Sequence, residues 1–151
     1  MALAIAADEL PVALLHPDAR APARSRAGDA GYDLRCVEGF TLAPGARALV
    51  PTGVAIALPE GIAGLVVPRS GLAIRDGVTA LNAPGLIDPN YRGEIRVIVH
   101  NAGAETYEAQ AGDRIAQLLL VPFWAPAFVA VDDLPDDGGE RGANGFGSSG
   151  R

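Results

Sequence analysis

Lysine is absent: all 12 basic residues among the 151 are arginine, and there is a single cysteine, two histidines and one tryptophan. One cysteine, Cys36, excludes an internal disulfide. With only His16 and His100 beside it, a conventional zinc site is excluded too. Cys36 is therefore read as a small buried hydrophobe, the histidines as ordinary polar residues, and Trp124 as packing. Although 49% of the chain is hydrophobic, no run approaches the 18 or so apolar residues of a membrane span. The opening MALAIAADELPVALL lacks a basic leader and is broken by Asp8 and Glu9, so no signal peptide is expected and the location reads as cytoplasmic. A basic face is missing as well. The formal charge of −6 argues against broad nucleic-acid binding. Arginine's planar fork suits bidentate contacts to phosphate oxygens, so a few placed arginines could still hold a small anion.

What is present is a chain of one-domain size, broken throughout by proline and glycine. Between residues 10 and 132, short apolar stretches alternate with turns, and no segment holds a helical period for long, which predicts an all-β domain of sandwich or barrel type. Val54, Ile56 and Leu58 alternate, Pro59 to Gly61 turn the chain, and residues 62 to 67 return, so a hairpin is expected there. In EIRVIVHN, Ile95, Val97 and Val99 share one face, and Arg96 and His100 the other. RIAQLLLVPF reads as a strand buried on both faces, and FVAVDDL as a strand with no partner identifiable from spacing. The one expected helix is short, from about Leu72 to Arg75. Residues 1–135 form the expected barrel domain, and residues 136–151, rich in glycine, a flexible tail.

Several stretches carry chemistry. PRSGLA (68–73) places Arg69 and Ser70 on a glycine-containing turn that opens the helix, where free N–H groups favour an anion. DAGYDL (29–34) holds Asp29 and Asp33 around a glycine, either able to meet a hydrated divalent ion or simply to cap a turn. GDRIAQ (112–117) is a turn and a strand, with Gln117 free to contact a ligand or incidental. RGANGFGSSG (141–150) joins Arg141 to Phe146 among glycines and serines, a combination fit for phosphate and base stacking and equally found in a plain tail. Finally, GLIDPNYRGEIRVIVHN sets Asp88 beside Leu86 and Ile87, an apolar setting that costs a carboxylate solvation.

In this order, DAGYDL, PRSGLA, NAPGLIDPNYRGEI, GDRIAQ and RGANGFGSSG resemble the five motifs of the trimeric dUTPases, over residues 29 to 150. Any one is weak, and five in sequence are highly specific. Asn90 departs from the glycine of many members, but asparagine also tolerates the left-handed backbone that such a turn can need.

The resemblance implies a jelly-roll β-barrel, a homotrimer with sites at subunit boundaries, a C-terminal strand exchanged between subunits, and a neighbour's tail closing over dUTP. It implies Asp88 as the base for the water that attacks the α-phosphorus, releasing dUMP and pyrophosphate. Such a reaction would limit uracil in DNA and supply dUMP for thymidylate. Mg²⁺ on the triphosphate would be held through water by Asp33. Arg69, Ser70, Gly71, Gln117 and Arg141 would surround the phosphates. Asn82 and Ile87 would line the base site and Tyr91 would lie beneath the deoxyribose, while Phe146, with Gly147 and Ser148, would close over the nucleotide. Asp113 and Arg114 would be structural. No membrane or nucleic-acid partner is implied. Three chains at −6 carry −18, so long-range forces would repel dUTP and short-range contacts must hold it. Two alternatives stand beside this reading. The related dCTP deaminases share the barrel and an arginine-serine motif but use a glutamate, for which Glu94 is a candidate, and a jelly-roll module without catalysis would need none of these residues.

Overall fold

The computed structural model describes residues 9–135. Arg141, Phe146, Gly147 and Ser148 lie outside the described residues. Ten strands and one helix follow one another in the order β1 (Val12–Leu14), β2 (Tyr32–Arg35), β3 (Phe40–Leu42), β4 (Arg47–Ile56), β5 (Ile62–Val67), α1 (Ser70–Asp76), β6 (Val78–Ala80), β7 (Gly85–Ile87), β8 (Ile95–Asn101), β9 (Tyr107–Ala109) and β10 (Arg114–Pro122). They form two four-stranded sheets, β1-β4-β8-β6 and β2-β10-β5-β7, and a β3-β9 ribbon, with every pair antiparallel. The all-β jelly roll expected from the sequence is the observed architecture.

Alternation builds the core between the sheets. On β8, Ile95, Val97 and Val99 are almost fully buried, whereas Arg96 is exposed, as the period of two requires. They pack with Leu34, Val54, Val66 and Leu118 from the other strands. Asn101, at the end of β8, is completely buried but satisfied, donating to the Leu42 and Glu105 carbonyls and accepting from Gly103 N–H. Cys36 is buried as expected, its thiol donating to the Gln110 carbonyl at 3.1 Å. The helix stops where Gly77 adopts φ +68° and donates to the Ala73 and Leu72 carbonyls.

Four expectations are corrected. β4 and β5 are not a hairpin: β1 and β8 already occupy both edges of β4, so after Pro59–Gly61 the chain crosses to the other sheet and β5 pairs with β10 and β7. β10 is not buried on both faces, because its outward residues, Leu119 and Val121 among them, are only half-covered. FVAVDDL is not a strand within the chain; Phe128 is 100% exposed and Leu134 86%. Trp124 does not pack either, being 88% exposed at the start of the same segment.

Candidate active site

Three of the motifs converge on one sheet. In β2, Tyr32 and Leu34 turn inward, so Asp33 and Arg35 face outward. Register places Asp33 opposite Gln117 on β10, and Gln117 opposite Val67 at the end of β5, just before PRSG. Gln117 lies over Gly31, where an added Cβ would sit 3.3 Å from the glutamine Cβ, Cδ and Nε2. Arg69 reaches back from the helix entrance, its Nε 3.6 Å from Asp33 Oδ1 and its Nη1 donating to the Arg114 carbonyl at 3.0 Å. Arg114 Nη1 approaches Asp33 Oδ2 at 3.2 Å, and the Ser25 hydroxyl donates to the same oxygen at 2.7 Å. Burial alone raises the Asp33 pKa, but the hydrogen bonds from Ser25 and Arg114 and the two guanidinium charges outweigh it and hold the carboxyl below its ordinary value. Two cations thus share one anion. For Arg69, burial and the Arg114 charge disfavour the guanidinium more than Asp33 favours it, which leaves the cluster short of negative charge.

Arg69 is the N-cap of α1 and supplies no side-chain cap, so the first N–H groups of the helix, at exposed Ser70 and Gly71, stay open to an anion. A polar pocket of about 610 Å³ beside them is lined by Arg35, Arg69, Arg75 and Arg114, with Tyr107 and Asp113 among its other walls. Asp113 accepts from Gln110 N–H at 2.8 Å, and Asp29 caps its turn by accepting from Arg26 N–H.

The remaining described motif forms a second pocket, of about 490 Å³, lined by Asn82, Ile87, Asp88, Tyr91, Glu94 and Arg96 with apolar residues from β4, β5 and β8. The two pockets share no lining residue. β7 pairs with β5, which carries Gly85 to Ile87 into place, and the chain then turns through 88–91 with Tyr91 N–H on the Asp88 carbonyl at 3.1 Å. The apolar setting expected for Asp88 is not met within one chain. Asp88 is exposed, and so is Leu86, because nothing among the described residues packs over this edge. Among the described residues the Asp88 carboxylate has no hydrogen-bond or ion-pair partner. Glu94 differs: its Oε1 accepts from Gly53 N–H at 2.8 Å and its Oε2 from Arg96 Nε at 2.7 Å.

For a divalent cation, no group of three or more His, Cys, Asp or Glu is placed to hold one among the described residues. Asp33 is committed to Ser25 and Arg114 through Oδ2, while Oδ1 faces Arg69 beyond hydrogen-bond length. That oxygen could accept from a metal-bound water, so the donor set fits an outer contact and not direct ligation.

Sequence reasoning missed Ser25, which stands eight residues before Asp33 with no motif to mark it, and Arg35 and Arg75 as pocket walls. Period-two alternation from Asp33 was a signal for Arg35. Arg114, expected to be structural, is so in a specific way, as the buttress of Asp33.

Comparisons with known proteins identify the family. The dUTPase family model matches residues 18–150. The deoxyuridine 5'-triphosphate nucleotidohydrolase of Leifsonia xyli subsp. xyli is 56% identical over 132 residues, covering 87% of this chain and 86% of its own. That of Wolinella succinogenes is 51% identical over 137 residues, with 91% of each chain covered. Among solved structures, the Staphylococcus bacteriophage 80alpha dUTPase with dUPNHPP superposes with a TM-score of 0.88 at 32% identity, over 95% of this chain and 99% of its own. A mutant dUTPase from phage phi11 of S. aureus, described with a structural Mg(II) ion, superposes at 0.78 with 31% identity, over 83% of this chain and 98% of its own. With these matches spanning nearly the whole chain and its motifs, the chain belongs to the dUTPase family.

Proposed function

We propose that the chain hydrolyses dUTP to dUMP and pyrophosphate, with Asp88 taking a proton from the attacking water. The observation that carries this is the contrast at the site. Asp88 is exposed and, among the described residues, unpartnered at the edge of a pocket of nucleoside size, whereas Asp33 and Glu94 are both held by cations.

The water oxygen attacks the α-phosphorus in line with the bond to the bridging oxygen. As the new P–O bond forms the old one breaks, pyrophosphate leaves with its electron pair, and the water's proton passes to Asp88. General-base help contributes about 10²- to 10⁴-fold, or roughly 3 to 5 kcal/mol, against the 8 kcal/mol or more of enzymatic acceleration. The rest comes from holding the triphosphate. Arg69, the open helix N–H groups of Ser70 and Gly71, Gln117 and the tail's Arg141 surround its oxygens. Mg²⁺, when bound to the nucleotide, would supply charge neutralisation, and Asp33 would hold it through a water. Asn82 and Ile87 line the uracil site, Tyr91 forms the floor beneath the deoxyribose, and Phe146 with Gly147 and Ser148 closes over the base.

One chain keeps Asp88 and the arginines in different pockets, which supports a site built from more than one subunit. The exposed apolar segment 123–134, with Trp124, Phe128, Val129 and Leu134, supports a homotrimer in which this arm lies on a neighbour as an added strand. The neighbour and the nucleotide would then supply the apolar cover that Asp88 lacks. The barrel of 1–135, the closing tail of 136–151 and the −6 charge suit a cytoplasmic enzyme that limits uracil in DNA and supplies dUMP for thymidylate.

Pyrophosphate release measured on the four deoxynucleoside triphosphates and dUTP, with and without Mg²⁺, tests the reading. Release from dUTP alone, dependent on Mg²⁺, is expected. Ammonia release from dCTP would replace it with deamination.

A further inference from the structure

Glu94 lines the nucleoside pocket, but its carboxylate faces the protein and not the cavity's open edge. The side chain is 18% exposed, against 53% for Arg96, which it pairs with through Oε2. Its other oxygen accepts from Gly53 N–H, 41 residues earlier. Gly53 sits where the β4-β8 register shifts between Pro51 and Val54, with φ +65°. A Cβ there would fall 2.8 Å from the Ala19 Cβ and 2.9 Å from the His16 Cβ. Only glycine fits that bend. Beside it the buried Thr52 hydroxyl donates to the Ile95 carbonyl at 2.5 Å. The β4 bulge therefore grips residues 94 and 95 by two hydrogen bonds, one of them to a carboxylate. Burial works against the Glu94 charge, but Arg96 and the Gly53 N–H more than offset it and keep the carboxyl below its ordinary pKa.

The gripped backbone holds Tyr91 in turn. The Tyr91 hydroxyl donates to the Glu94 carbonyl at 2.9 Å. Its ring lies across Gly93, where an added Cβ would come within 2.6 Å of Tyr91 Cζ and 3.0 Å of Cε2. Tyr91 is 44% exposed, which leaves its ring room to tilt without that hydrogen bond. Its plane depends on where the residue 94 carbonyl stands.

We propose that Glu94 is a positioning residue for sugar discrimination: by locking residue 94 onto the β4 bulge, it fixes the carbonyl that orients Tyr91, and with it the surface on which the sugar rests. This rests on Tyr91 being the sugar floor. A ring held in place rejects an added 2′-hydroxyl by contact, whereas a ring free to tilt yields to it.

The test is kcat/KM for dUTP and for UTP, read as pyrophosphate release, in the parent and in Glu94→Ala, Glu94→Gln and Tyr91→Phe. Glu94→Ala is expected to lower the dUTP/UTP ratio about five- to ten-fold, the worth of one hydrogen bond. Glu94→Gln keeps an oxygen to accept from Gly53 and is expected to hold the ratio within about two-fold. Tyr91→Phe keeps the ring, drops only the hydroxyl and should lose the ratio as Glu94→Ala does. Loss of folded enzyme lowers both nucleotides together and leaves the ratio alone. If Glu94→Ala does not fold, Tyr91→Phe decides. An unchanged ratio in Tyr91→Phe, or in a folded Glu94→Ala, with the parent active on dUTP, overturns the Glu94 role alone. A parent inactive on dUTP overturns the functional reading and this inference with it.

Discussion

The cluster around Asp33 and the pocket around Asp88 keep their carboxylates in opposite conditions. Asp33 is 8% exposed and held by Ser25, Arg114 and Arg69, whereas Asp88 is exposed and no side chain or backbone group among the described residues binds it. The difference suits the role proposed for each. A group that orients cations around phosphates is effective when its geometry is fixed before the ligand arrives. A group that must accept a proton is weakened by every hydrogen bond to its charged form. Preorganisation is thus concentrated in the arginine cluster and withheld from the proposed base.

The largest test of that contrast is Asp88→Asn. Loss of the base should lower kcat for dUTP about 10²- to 10⁴-fold. Because the side chain is exposed and unpartnered, thermal stability should stay within about 0.5 kcal/mol of the parent. Pyrophosphate release and a melting curve on the same sample measure both, and a large stability loss would show that Asp88 is bound after all.

Arg69→Ala should behave in the reverse way. It removes a cation from Asp33 and a donor from the Arg114 carbonyl, so KM for dUTP should rise about ten- to a hundred-fold, as expected for losing one charge-assisted contact, and stability should fall by about 1–3 kcal/mol. Equal loss in kcat with KM unchanged would place Arg69 in the transition state instead.

The motifs of this contrast were legible in the sequence because each is local. PRSG opens a helix, and Ile95, Val97 and Val99 show which face of β8 is buried. What was not legible depends on distant partners. Pro59–Gly61 has the same turn chemistry whether the chain folds back or changes sheet, and the outcome is set by β1 and β8 filling both edges of β4. FVAVDDL has strand alternation, but a strand needs a partner, and among the described residues it has none. Glu94 was a candidate for the glutamate of a deaminase from its closeness to Asp88, and only the fold brings Gly53 to occupy it. The surroundings of Asp88 were misread for the same reason: Leu86 and Ile87 are its neighbours in sequence, yet Leu86 is 63% exposed and gives it no cover.

Asp33→Asn probes the fixed side of the comparison through pH. The carboxyl titrates lower in the folded chain than its ordinary value. Its pairing therefore contributes in full above the unfolded pKa of about 3.9 and is lost as pH falls through the lower folded value. The variant should be less stable than the parent by about 1–3 kcal/mol at pH 7, with the gap closing below about pH 4. Urea unfolding at both pH values measures it. A gap that does not depend on pH would mean that packing, and not charge, holds Asp33.

The smallest expected effect is at Gly31, which separates rigidity from charge. Its backbone does not require glycine, since its φ is not positive, but an added Cβ would stand 3.3 Å from three atoms of Gln117. That is tight enough to move the glutamine by a few tenths of an ångström while leaving Asp33, Arg69 and Arg114 in place. Gly31→Ala should then raise KM for dUTP about two- to five-fold, less than the loss of one hydrogen bond, with melting temperature nearly unchanged. A Gln117→Gly protein has no side chain to displace, so adding Gly31→Ala to it should have no further effect on KM. If the second substitution still raises KM, Gly31 acts through the backbone of the Asp33 turn, and the tolerance of the cluster to small displacements is set there and not by the glutamine.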